Sequence, residues 1–432
     1  MKIVSTNRSG RVYSFAQAVQ CGMPDDHGLF VPASFPEFST GEIDAMGGMS
    51  LQEIALGVGG RLFGDEIPPP ALRAIVQEAI NFPVPLRPLD ERTFILELFH
   101  GPTLAFKDVG ARFMARLVAY LYRNEAREIT ILVATSGDTG SAVAHGFHGV
   151  QGTRVVLLYP SGKVSKIQEQ QMTTLGGNVT ALEVSGTFDD CQRLVKEALA
   201  DGDLRSRKSF SSANSINIAR LLPQSFYYFA AVAGVGRKGG KPVVSVPSGN
   251  LGNLTAGLYA WKMGLPVRRF LAATNVNDSL PRYLATGKFT PKPSVATISN
   301  AMDVGNPSNF ARLRALFNND RSAAAQIIYG ASSSDDETRQ TIRDLFDRFG
   351  YVFDPHGAVA CRALQYYRNT IEDAGGGIVL ATAHPAKFID IYDDRERKAI
   401  EMPEELIKCL EMPKHSTAIS SRYDDLKSIL TM

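Results

Sequence analysis

Short apolar runs alternate with longer helix-like segments along most of the chain after residue 88. The runs lie at 129–133, 154–158, 243–246, 270–273 and 378–380. Almost all of their positions are apolar, with no alternation of apolar and polar residues, which indicates strands covered by helices on both faces. Strands that alternate with helices in this way predict open, mainly parallel α/β sheets.

The first 88 residues show a different pattern. Helix-like segments are broken there by glycine and proline, including three consecutive prolines at 68–70 and a proline-rich stretch that ends at residue 88. We therefore predict an N-terminal domain over 1–88 and a smaller α/β domain over 89–225. A larger α/β domain with a C-terminal extension is predicted over 226–432.

Composition narrows the possible functions. The 432 residues include 46 Lys and Arg against 44 Asp and Glu, so the net charge of +2 gives no long-range attraction to nucleic acid or membrane. Four cysteines without a Cys-x-x-Cys pair and seven histidines without ligand spacing predict neither a disulfide framework nor a metal site. The N-terminus lacks an apolar core of signal-peptide length, and the longest apolar stretch is too short to span a bilayer. We expect a cytoplasmic protein with a small-molecule partner.

A glycine-rich turn, Ser248-Gly-Asn-Leu-Gly-Asn253, lies between the strand at 243–246 and a helix-like segment at 254–263. A strand-to-helix turn of this kind suits a phosphate group. Glycine lets the backbone approach an anion closely, and the helix N-terminus adds partial positive charge. The alternative interpretation is an ordinary turn in which an asparagine caps the helix.

A second polar turn, at residues 134–142, follows the strand at 129–133. Ligands of open α/β sheets collect beyond the carboxyl ends of the strands. The hydroxyls of Ser136, Thr139 and Ser141 suit a carboxylate or a phosphate. The alternative is a helix cap formed by Asp138 or Thr139.

A lysine between apolar residues is the third feature. Lys107 ends the segment His100-Gly-Pro-Thr-Leu-Ala-Phe-Lys107 and opens a helix-like stretch at 109–121. Desolvation and a nearby helix N-terminus favour a neutral amine, as a nucleophilic or Schiff-base lysine requires. The alternative is a surface lysine that pairs with Asp108.

These motifs and Ala381-Thr-Ala-His-Pro385, taken in chain order, resemble the threonine synthase family of pyridoxal-phosphate enzymes. The segments at 13–19 and 26–32 also resemble the N-terminal domain of that family, so the resemblance spans nearly the whole chain. It implies two open, mainly parallel α/β domains of the tryptophan-synthase-β type (PLP fold type II) with an extra N-terminal domain.

The resemblance also implies roles for particular residues. Pyridoxal 5'-phosphate would be bound to Lys107, the catalytic residue, as a Schiff base, with its phosphate in the glycine-rich turn and its pyridine nitrogen at Thr382. The implied cofactor-binding set is Lys107, Gly249, Asn250, Leu251, Gly252, Asn253 and Thr382. The implied substrate-binding set is Ser136, Asp138, Thr139, Ser141, Lys163, Asn217 and Arg220.

The implied reaction converts O-phospho-L-homoserine and water to L-threonine and phosphate by β,γ-elimination and replacement. Two alternatives stay open. Another lyase of this fold, a serine/threonine dehydratase or a cysteine-synthase-like enzyme, would share Lys107 and the glycine-rich turn. A non-catalytic phosphoester-binding protein would keep the fold without the chemistry. We expect a monomer or a homodimer.

Overall fold

Helices and strands follow one another through most of the chain, as the hydrophobic pattern predicts. The computed structural model describes residues 1–7, 10–125, 128–236, 240–371 and 375–431. The strands are β1 (Lys2–Ser5), β2 (Tyr13–Ser14), β3 (Phe30–Pro32), β4 (Leu86–Asp90), β5 (Thr93–Glu97), β6 (Ile129–Ala134), β7 (Thr153–Pro160), β8 (Val179–Ser185), β9 (Ser209–Ser212), β10 (Val243–Pro247), β11 (Arg269–Thr274), β12 (Ile328–Ser332), β13 (Gly377–Ala381) and β14 (Thr417–Ser420). Across these ranges, no helix combines the length and apolar character needed to cross a bilayer.

The helices connect these strands and cover the sheets. They are α1 (Phe15–Cys21), α2 (Thr40–Ala45), α3 (Leu51–Phe63), α4 (Pro69–Ala79), α5 (Lys107–Tyr122), α6 (Asp138–Phe147), α7 (Lys166–Thr173), α8 (Phe188–Ala200), α9 (Gly202–Arg207), α10 (Ile218–Leu221), α11 (Ser225–Val235), α12 (Gly252–Lys262), α13 (Ser279–Thr286), α14 (Phe310–Leu316), α15 (Arg321–Ile327), α16 (Asp335–Phe349), α17 (Pro355–Thr370), α18 (Asp394–Ala399), α19 (Glu404–Glu411) and α20 (Tyr423–Thr431). Short three-ten helices lie at Leu222–Gln224, Asn300–Met302 and Pro385–Ile391.

The larger sheet has the strand order β12-β11-β10-β13-β5-β4. Its strands run parallel except β4, which pairs antiparallel with β5. Every residue of β10 and β13 is buried. Successive residues enter two different cores, because α12 packs beside Val244 and Val246 while α17 packs beside Val243 and Val379. The prediction of strands covered on both faces is confirmed for these two.

The smaller sheet has the strand order β14-β8-β7-β6-β9, and all of its strands run parallel. On one face, Leu132 of β6 shares a core with Leu194 of α8 and Leu426 of α20. On the other face, Ile131 and Val133 join the main core of the molecule. Two parallel sheets with helices on both faces confirm the predicted α/β class.

The N-terminal residues form an antiparallel sheet, β2-β1-β3, together with helices α1 to α4. Phe15 of α1 stacks on Phe63 of α3 with ring centroids 4.7 Å apart, and Phe63 lies 5.7 Å from Phe113 of α5. This aromatic chain packs the N-terminal unit against the helix that begins at Lys107. The sequence pattern predicted helices in this unit but did not predict the small sheet.

Two strands lie in one predicted domain of the chain but pair with the sheet of the other α/β domain. β5 lies within 89–225 but pairs with β13 of the larger sheet. β14 lies within 226–432 but pairs with β8 of the smaller sheet. Strands join a sheet by pairing in the folded chain and not by their order along it. A division of the chain into consecutive segments therefore cannot assign β5 and β14 to the sheets they join. The predicted limits 1–88, 89–225 and 226–432 stay a prediction.

Candidate active site

Three turns leave the same edge of the larger sheet. β10 and β5 each pair in parallel with β13, so the carboxyl ends of all three strands meet at one edge. Neighbouring strands lie about 4.8 Å apart. The turn that leads to Lys107, the glycine-rich turn and the turn that begins at Thr382 therefore start close together, as expected for a ligand site in an open α/β sheet.

The turn before Lys107 is built around the buried carboxylate of Asp108. This carboxylate accepts hydrogen bonds from the Thr103 backbone N–H at 2.9 Å and from the Thr103 hydroxyl at 2.7 Å. A Cβ atom on Gly101 would lie 2.5 Å from Asp108 Oδ2, so the turn needs glycine at that position. Burial raises the pKa of Asp108 to about 6. Asp108 thus supports the turn from inside the protein, and the alternative of a surface Lys107–Asp108 pair is wrong.

The backbone before Lys107 is tied to the segment after β13. The Phe106 N–H donates to the Thr382 carbonyl at 2.9 Å, and the His384 N–H donates to the Leu104 carbonyl at 3.0 Å. Thr382 is only 5% exposed. Within the described ranges, its hydroxyl makes no hydrogen bond, so it is available to a ligand beside Lys107.

A fully buried lysine, Lys387, and a half-buried lysine, Lys107, share one buried carboxylate. Lys387 Nζ lies 2.7 Å from Asp138 Oδ1, whereas Lys107 Nζ lies 3.6 Å from Asp138 Oδ2. Gln168 Nε2 also donates to Asp138 Oδ1, at 2.9 Å. Burial lowers the pKa of Lys107 against the opposing effect of Asp138. Burial also disfavours the charged form of Asp138, but Lys387 and Lys107 hold the pKa of this carboxyl well below its usual range.

The turn that carries Asp138 comes from the smaller sheet. Gly137 has φ +144°, and a Cβ there would lie 2.5 Å from Gln168 Oε1, so this turn also requires glycine. Asp138 is the first residue of α6, and the side chain that accepts an N–H of its first turn is that of Thr135, which accepts the Gly140 N–H at 2.8 Å. The alternative of a helix cap at Asp138 or Thr139 is therefore wrong. Asp138 brings the edge of the smaller sheet to the lysines at the edge of the larger one.

The predicted hydroxyl residues of this turn have different environments. Ser141 is buried, with its Oγ 3.4 Å from the carbonyls of Gly137 and Gln168. Ser136 is exposed, and Thr139 is half-buried. Within the described part of the chain, neither Ser136 nor Thr139 makes a side-chain hydrogen bond. These two hydroxyls are free for a ligand, whereas the Ser141 hydroxyl faces the protein backbone.

The glycine-rich turn ends in the N-terminus of α12. Leu251 adopts a left-handed conformation with φ +60°, and no side chain caps the helix. The N–H groups of the first helical turn have no carbonyl partners within the helix. A Cβ on Gly249 would lie 2.8 Å from the Ala301 carbonyl oxygen, so glycine lets these two backbone segments approach. The alternative of an asparagine cap is wrong, and the free N–H groups suit an anion.

Asn253 contributes an unpaired donor at this helix terminus. Its Oδ1 accepts hydrogen bonds from the hydroxyls of Tyr227 and Tyr228, each at 2.7 Å. Its Nδ2 is buried and has no hydrogen-bond partner among the described residues. A buried amide donor without an acceptor is destabilising, so this group also favours a bound acceptor.

Asn250 holds the glycine-rich turn in place. Its Nδ2 donates to Ser215 Oγ at 2.6 Å, and its Oδ1 accepts from the Ser308 N–H at 2.6 Å. The Asn309 amide donates to the Asn250 carbonyl at 2.9 Å, and Arg312 bonds in turn to Asn309. The Asn250 side chain therefore positions the turn through protein contacts.

Arg220 is a buried cation near the lysines. Its Nη1 donates to the Ala213 carbonyl at 2.6 Å, but its Nε is buried without a hydrogen-bond partner. Among the described residues, no carboxylate lies within ion-pair distance of this guanidinium. Burial lowers the pKa of Arg220 to about 10. An unpaired buried guanidinium is an efficient binding group for a carboxylate or a phosphate.

Two members of the predicted substrate set have other surroundings. Asn217 caps α10, and its Nδ2 donates to the carbonyls of Val19 and Ser212. It thereby supports the segment that carries Arg220. Lys163 is exposed in the turn after β7. The structure brings neither side chain into contact with Lys107.

Several site residues were not predicted from the sequence. They are Thr103, Gln168, Ser215, Asn309, Arg312 and Lys387. Lys387 stands two residues after the Ala381-Thr-Ala-His-Pro385 motif. Its position in the chain could therefore have indicated that it lies near the site. The others act through contacts between distant segments, which no local pattern indicates. Within the described ranges, no cluster of His, Cys, Asp and Glu side chains could hold a metal ion.

Comparison with known proteins identifies the family to which this site belongs. The family model described as pyridoxal-phosphate dependent enzyme matches residues 81–382. The models described as threonine synthase N terminus and threonine synthase, C-terminal match residues 2–80 and 357–430. The chain belongs to the threonine synthase family.

Individual threonine synthases match over the full length. Threonine synthase from Escherichia coli (strain K12) is 44% identical over 431 residues, which cover 100% of this chain and 99% of that protein. The crystal structure of the Escherichia coli threonine synthase covers 100% of this chain and 99% of its own, with a TM-score of 0.91 and 43% identity. A PLP-bound threonine synthase from Brucella melitensis covers 100% and 98%, with a TM-score of 0.91 and 35% identity. The predicted family, fold type and cofactor are confirmed.

The site residues of this chain fit pyridoxal 5'-phosphate. The free N–H groups of α12 and the unpaired Nδ2 of Asn253 suit the phosphate. Lys107 offers an amine whose pKa is lowered by burial, as a lysine that reacts with a carbonyl requires. The Thr382 hydroxyl, directly after β13, offers a neutral hydrogen-bonding group. Each part of the cofactor thus has a group of matching chemistry.

Proposed function

We propose that the chain converts O-phospho-L-homoserine and water to L-threonine and phosphate at this edge of the larger sheet. The observation that carries the proposal is the Lys107 amine, which lies 3.6 Å from the buried Asp138 carboxylate and whose pKa is lowered by burial, at the same sheet edge as the uncapped N-terminus of α12. A substrate with anionic groups at both ends needs buried cations and free N–H donors. Threonine synthase relatives that match over the full length support the same reaction.

The cofactor would be held at three points. Lys107 would bind its carbonyl carbon, the backbone of Gly249, Asn250, Leu251, Gly252 and Asn253 would surround its phosphate, and Thr382 would contact its ring nitrogen. When bound, pyridoxal 5'-phosphate withdraws electrons from the amino-acid substrate and makes its Cα–H and Cβ–H bonds acidic. A neutral hydroxyl at the ring nitrogen tempers that withdrawal, and this favours elimination and replacement over transamination.

Lys107 would carry the protons of the reaction. Its Nζ accepts the proton from substrate Cα and then one from Cβ. The Cγ–O bond breaks and phosphate leaves with the bonding electron pair. The hydroxyl of water adds to Cβ and its other proton goes to the released phosphate, while the two protons taken by Lys107 return to Cγ and Cα. The atoms balance, because one water enters and one phosphate leaves.

The anionic groups of the substrate would be bound by groups that are unpaired within the protein. Arg220 would take one anionic end through its unpartnered Nε, and the hydroxyls of Ser136 and Thr139 would donate to the other. Donors that hold the leaving phosphate act where charge develops, so they speed the step as well as bind. Substrate roles for Asp138, Ser141, Lys163 and Asn217 stay predictions, as do the cytoplasmic location and the monomeric or homodimeric state.

Product analysis tests this function. The holoenzyme is incubated with O-phospho-L-homoserine, and phosphate and L-threonine are measured together. We expect equal amounts of the two products, and a loss of nearly all turnover in Lys107→Ala. Lys408→Ala removes an exposed lysine and serves as the matched control. Borohydride reduction followed by peptide mapping should place the cofactor on Lys107. Ammonia with a 2-oxo acid, or attachment to another lysine, would contradict the proposal.

A further inference from the structure

Lys387 is a fully buried lysine next to the proposed catalytic amine, and the motif around Lys107 does not include it. Its side chain is 0% exposed. Its Nζ contacts Asp138 Oδ1 at 2.7 Å and donates to the Thr103 carbonyl at 2.8 Å. Thr103 belongs to the turn that is built on Asp108. Lys387 therefore links the Asp138 turn of the smaller sheet to the Lys107 turn of the larger sheet.

The distances show which lysine holds the carboxylate. Asp138 can neutralise one ammonium group fully, and Lys387 is closer to it than Lys107 by 0.9 Å, the difference between 3.6 Å and 2.7 Å. Lys387 also has a second acceptor for its ammonium protons. A buried ammonium group needs partners, and Lys387 has these two at close distance, whereas the Lys107 amine lies 3.6 Å from the same carboxylate. Burial lowers the pKa of Lys107, so Lys107 is the amine that can lose its proton.

We propose that Lys387 is a positioning residue that holds the Asp138 carboxylate away from Lys107 and so makes Lys107 the reactive amine. This inference rests on the proposed function, in which Lys107 binds the cofactor. Without Lys387, the carboxylate would be free to form a close ion pair with Lys107. An amine that is paired in this way keeps its proton and reacts slowly with a carbonyl group.

The charges around Lys107 give opposite expectations for two variants. The charged groups that act on its amine are Asp138, Lys387 and Arg220, and Asp108 follows it in the chain. Removal of Lys387 takes away a positive charge and frees the carboxylate, so deprotonation of Lys107 needs a higher pH. Removal of the Asp138 charge takes away the attraction for the proton, so deprotonation needs a lower pH.

The experiment measures how fast pyridoxal 5'-phosphate attaches to Lys107 as a function of pH. The full-length chain is freed of cofactor, mixed with pyridoxal 5'-phosphate and quenched with borohydride, and the labelled peptide is quantified. The variants are Lys387→Met, Asp138→Asn and the double variant. Lys408→Met removes an exposed lysine as the matched control. This readout reports the amine of Lys107 without any turnover of substrate.

We expect the midpoint of attachment to rise by about one pH unit in Lys387→Met and to fall by about one pH unit in Asp138→Asn. The double variant should lie between them, and Lys408→Met should match the wild type. The double variant removes both partners of the short ion pair, so it keeps the test usable if Lys387→Met folds poorly. Shifts in the same direction, or unchanged midpoints with labelled Lys107, would overturn the role of Lys387. Label on a lysine other than Lys107 in the wild type would overturn the proposed function and this inference together.

Discussion

Thr382 is a buried residue whose hydroxyl makes no hydrogen bond within the described ranges. Its carbonyl accepts the Phe106 N–H and so serves the fold, whereas its side chain does not. The hydroxyl is not among the fully buried atoms that lack a partner, so it stays accessible from the site although the residue is only 5% exposed. A bound ligand can supply the missing hydrogen-bond partner. The proposed partner is the ring nitrogen of the cofactor.

We predict that Thr382→Val leaves the free energy of unfolding of the cofactor-free protein unchanged or raises it. Valine keeps the shape of threonine and removes only the unpaired hydroxyl. Turnover and the visible absorption of the bound cofactor should change, whereas Thr382→Ser should resemble the wild type in both. Urea unfolding and absorption spectra check this prediction. Identical spectra and turnover for all three proteins would remove Thr382 from the site.

Asp108 gives the fold a distinct dependence on pH. Burial raises its pKa from 3.8 to about 6, so between these values the native protein binds more protons than the unfolded chain. The free energy of unfolding is therefore highest below about pH 4, where Asp108 is protonated, and falls by up to about 3 kcal/mol as the pH rises through 6.

We predict that Asp108→Asn becomes more stable relative to the wild type as the pH rises from about 4 to 6. Urea unfolding at pH 4 and pH 7 measures the difference, with the exposed Asp424→Asn as the control. A difference that does not vary with pH would contradict the prediction.

The sequence supports predictions for those residues whose chemistry is visible in a local motif. The glycine-rich turn and Thr382 each follow a predicted strand, so their place at the carboxyl ends of a sheet could be inferred. The strand before Lys107, β5, was not predicted, so the place of Lys107 at the same edge comes from the structure. Lys387 and Gln168 could not be assigned in this way. Their role depends on distances to Asp138, and such distances arise only when two sheets pack together.

At the scale of elements, Gly252 at the N-terminus of α12 affects both the stability of the helix and the binding of the cofactor phosphate. A Cβ there would lie 3.6 Å from Asn309 Nδ2 and 3.7 Å from Ser215 Cβ, which are ordinary contacts. The fold therefore accepts a side chain at this position. A carboxylate would interact favourably with the helix dipole, but it would repel a bound phosphate.

We predict that Gly252→Asp stabilises the cofactor-free protein by about 0.5 kcal/mol and raises the cofactor dissociation constant more than about tenfold. Gly252→Ala adds the same Cβ without the charge, so it should bind the cofactor much more tightly than the aspartate variant. Thermal unfolding and fluorescence titration with pyridoxal 5'-phosphate supply the two numbers. Equal dissociation constants for the wild type and Gly252→Asp would place the phosphate elsewhere.

The sequence predicted long elements better than short ones. The apolar runs of β6, β7, β10, β11 and β13 stand out because central parallel strands are buried on both faces. β1, β2 and β3 have only two to four residues each. Strands so short carry too few positions for a period to be recognised, and only their pairing in the folded chain stabilises them.

At the scale of the whole molecule, the two parallel sheets share one main core. Val133 of the smaller sheet and Val246 of the larger sheet belong to the same cluster of buried residues. The C-terminal helix α20 closes the outer face of the smaller sheet with Leu426. Damage at that outer face should therefore reach the larger sheet as well.

We predict that Leu426→Ala lowers the free energy of unfolding by about 2–5 kcal/mol, because it leaves a cavity in a buried core. The single tryptophan, Trp261, lies in α12 beside the larger sheet. Its fluorescence should change at the same reduced urea concentration as the far-UV circular dichroism. The exposed Ser428→Ala is the control and should stay within about 0.5 kcal/mol of the wild type. A tryptophan transition that keeps the wild-type midpoint would show that the sheets unfold separately.

The unpaired positive charge at the site makes the stability of this protein depend on the supply of its cofactor. Among the described residues, Lys107 and Lys387 share the single close carboxylate of Asp138, and Arg220 has no carboxylate within ion-pair distance. An anionic cofactor supplies the missing charge, so a newly made chain reaches its full stability only after loading. Chains that wait for the cofactor unfold more often and are removed sooner by cellular proteases. The amount of this enzyme in a cell should therefore follow the supply of vitamin B6.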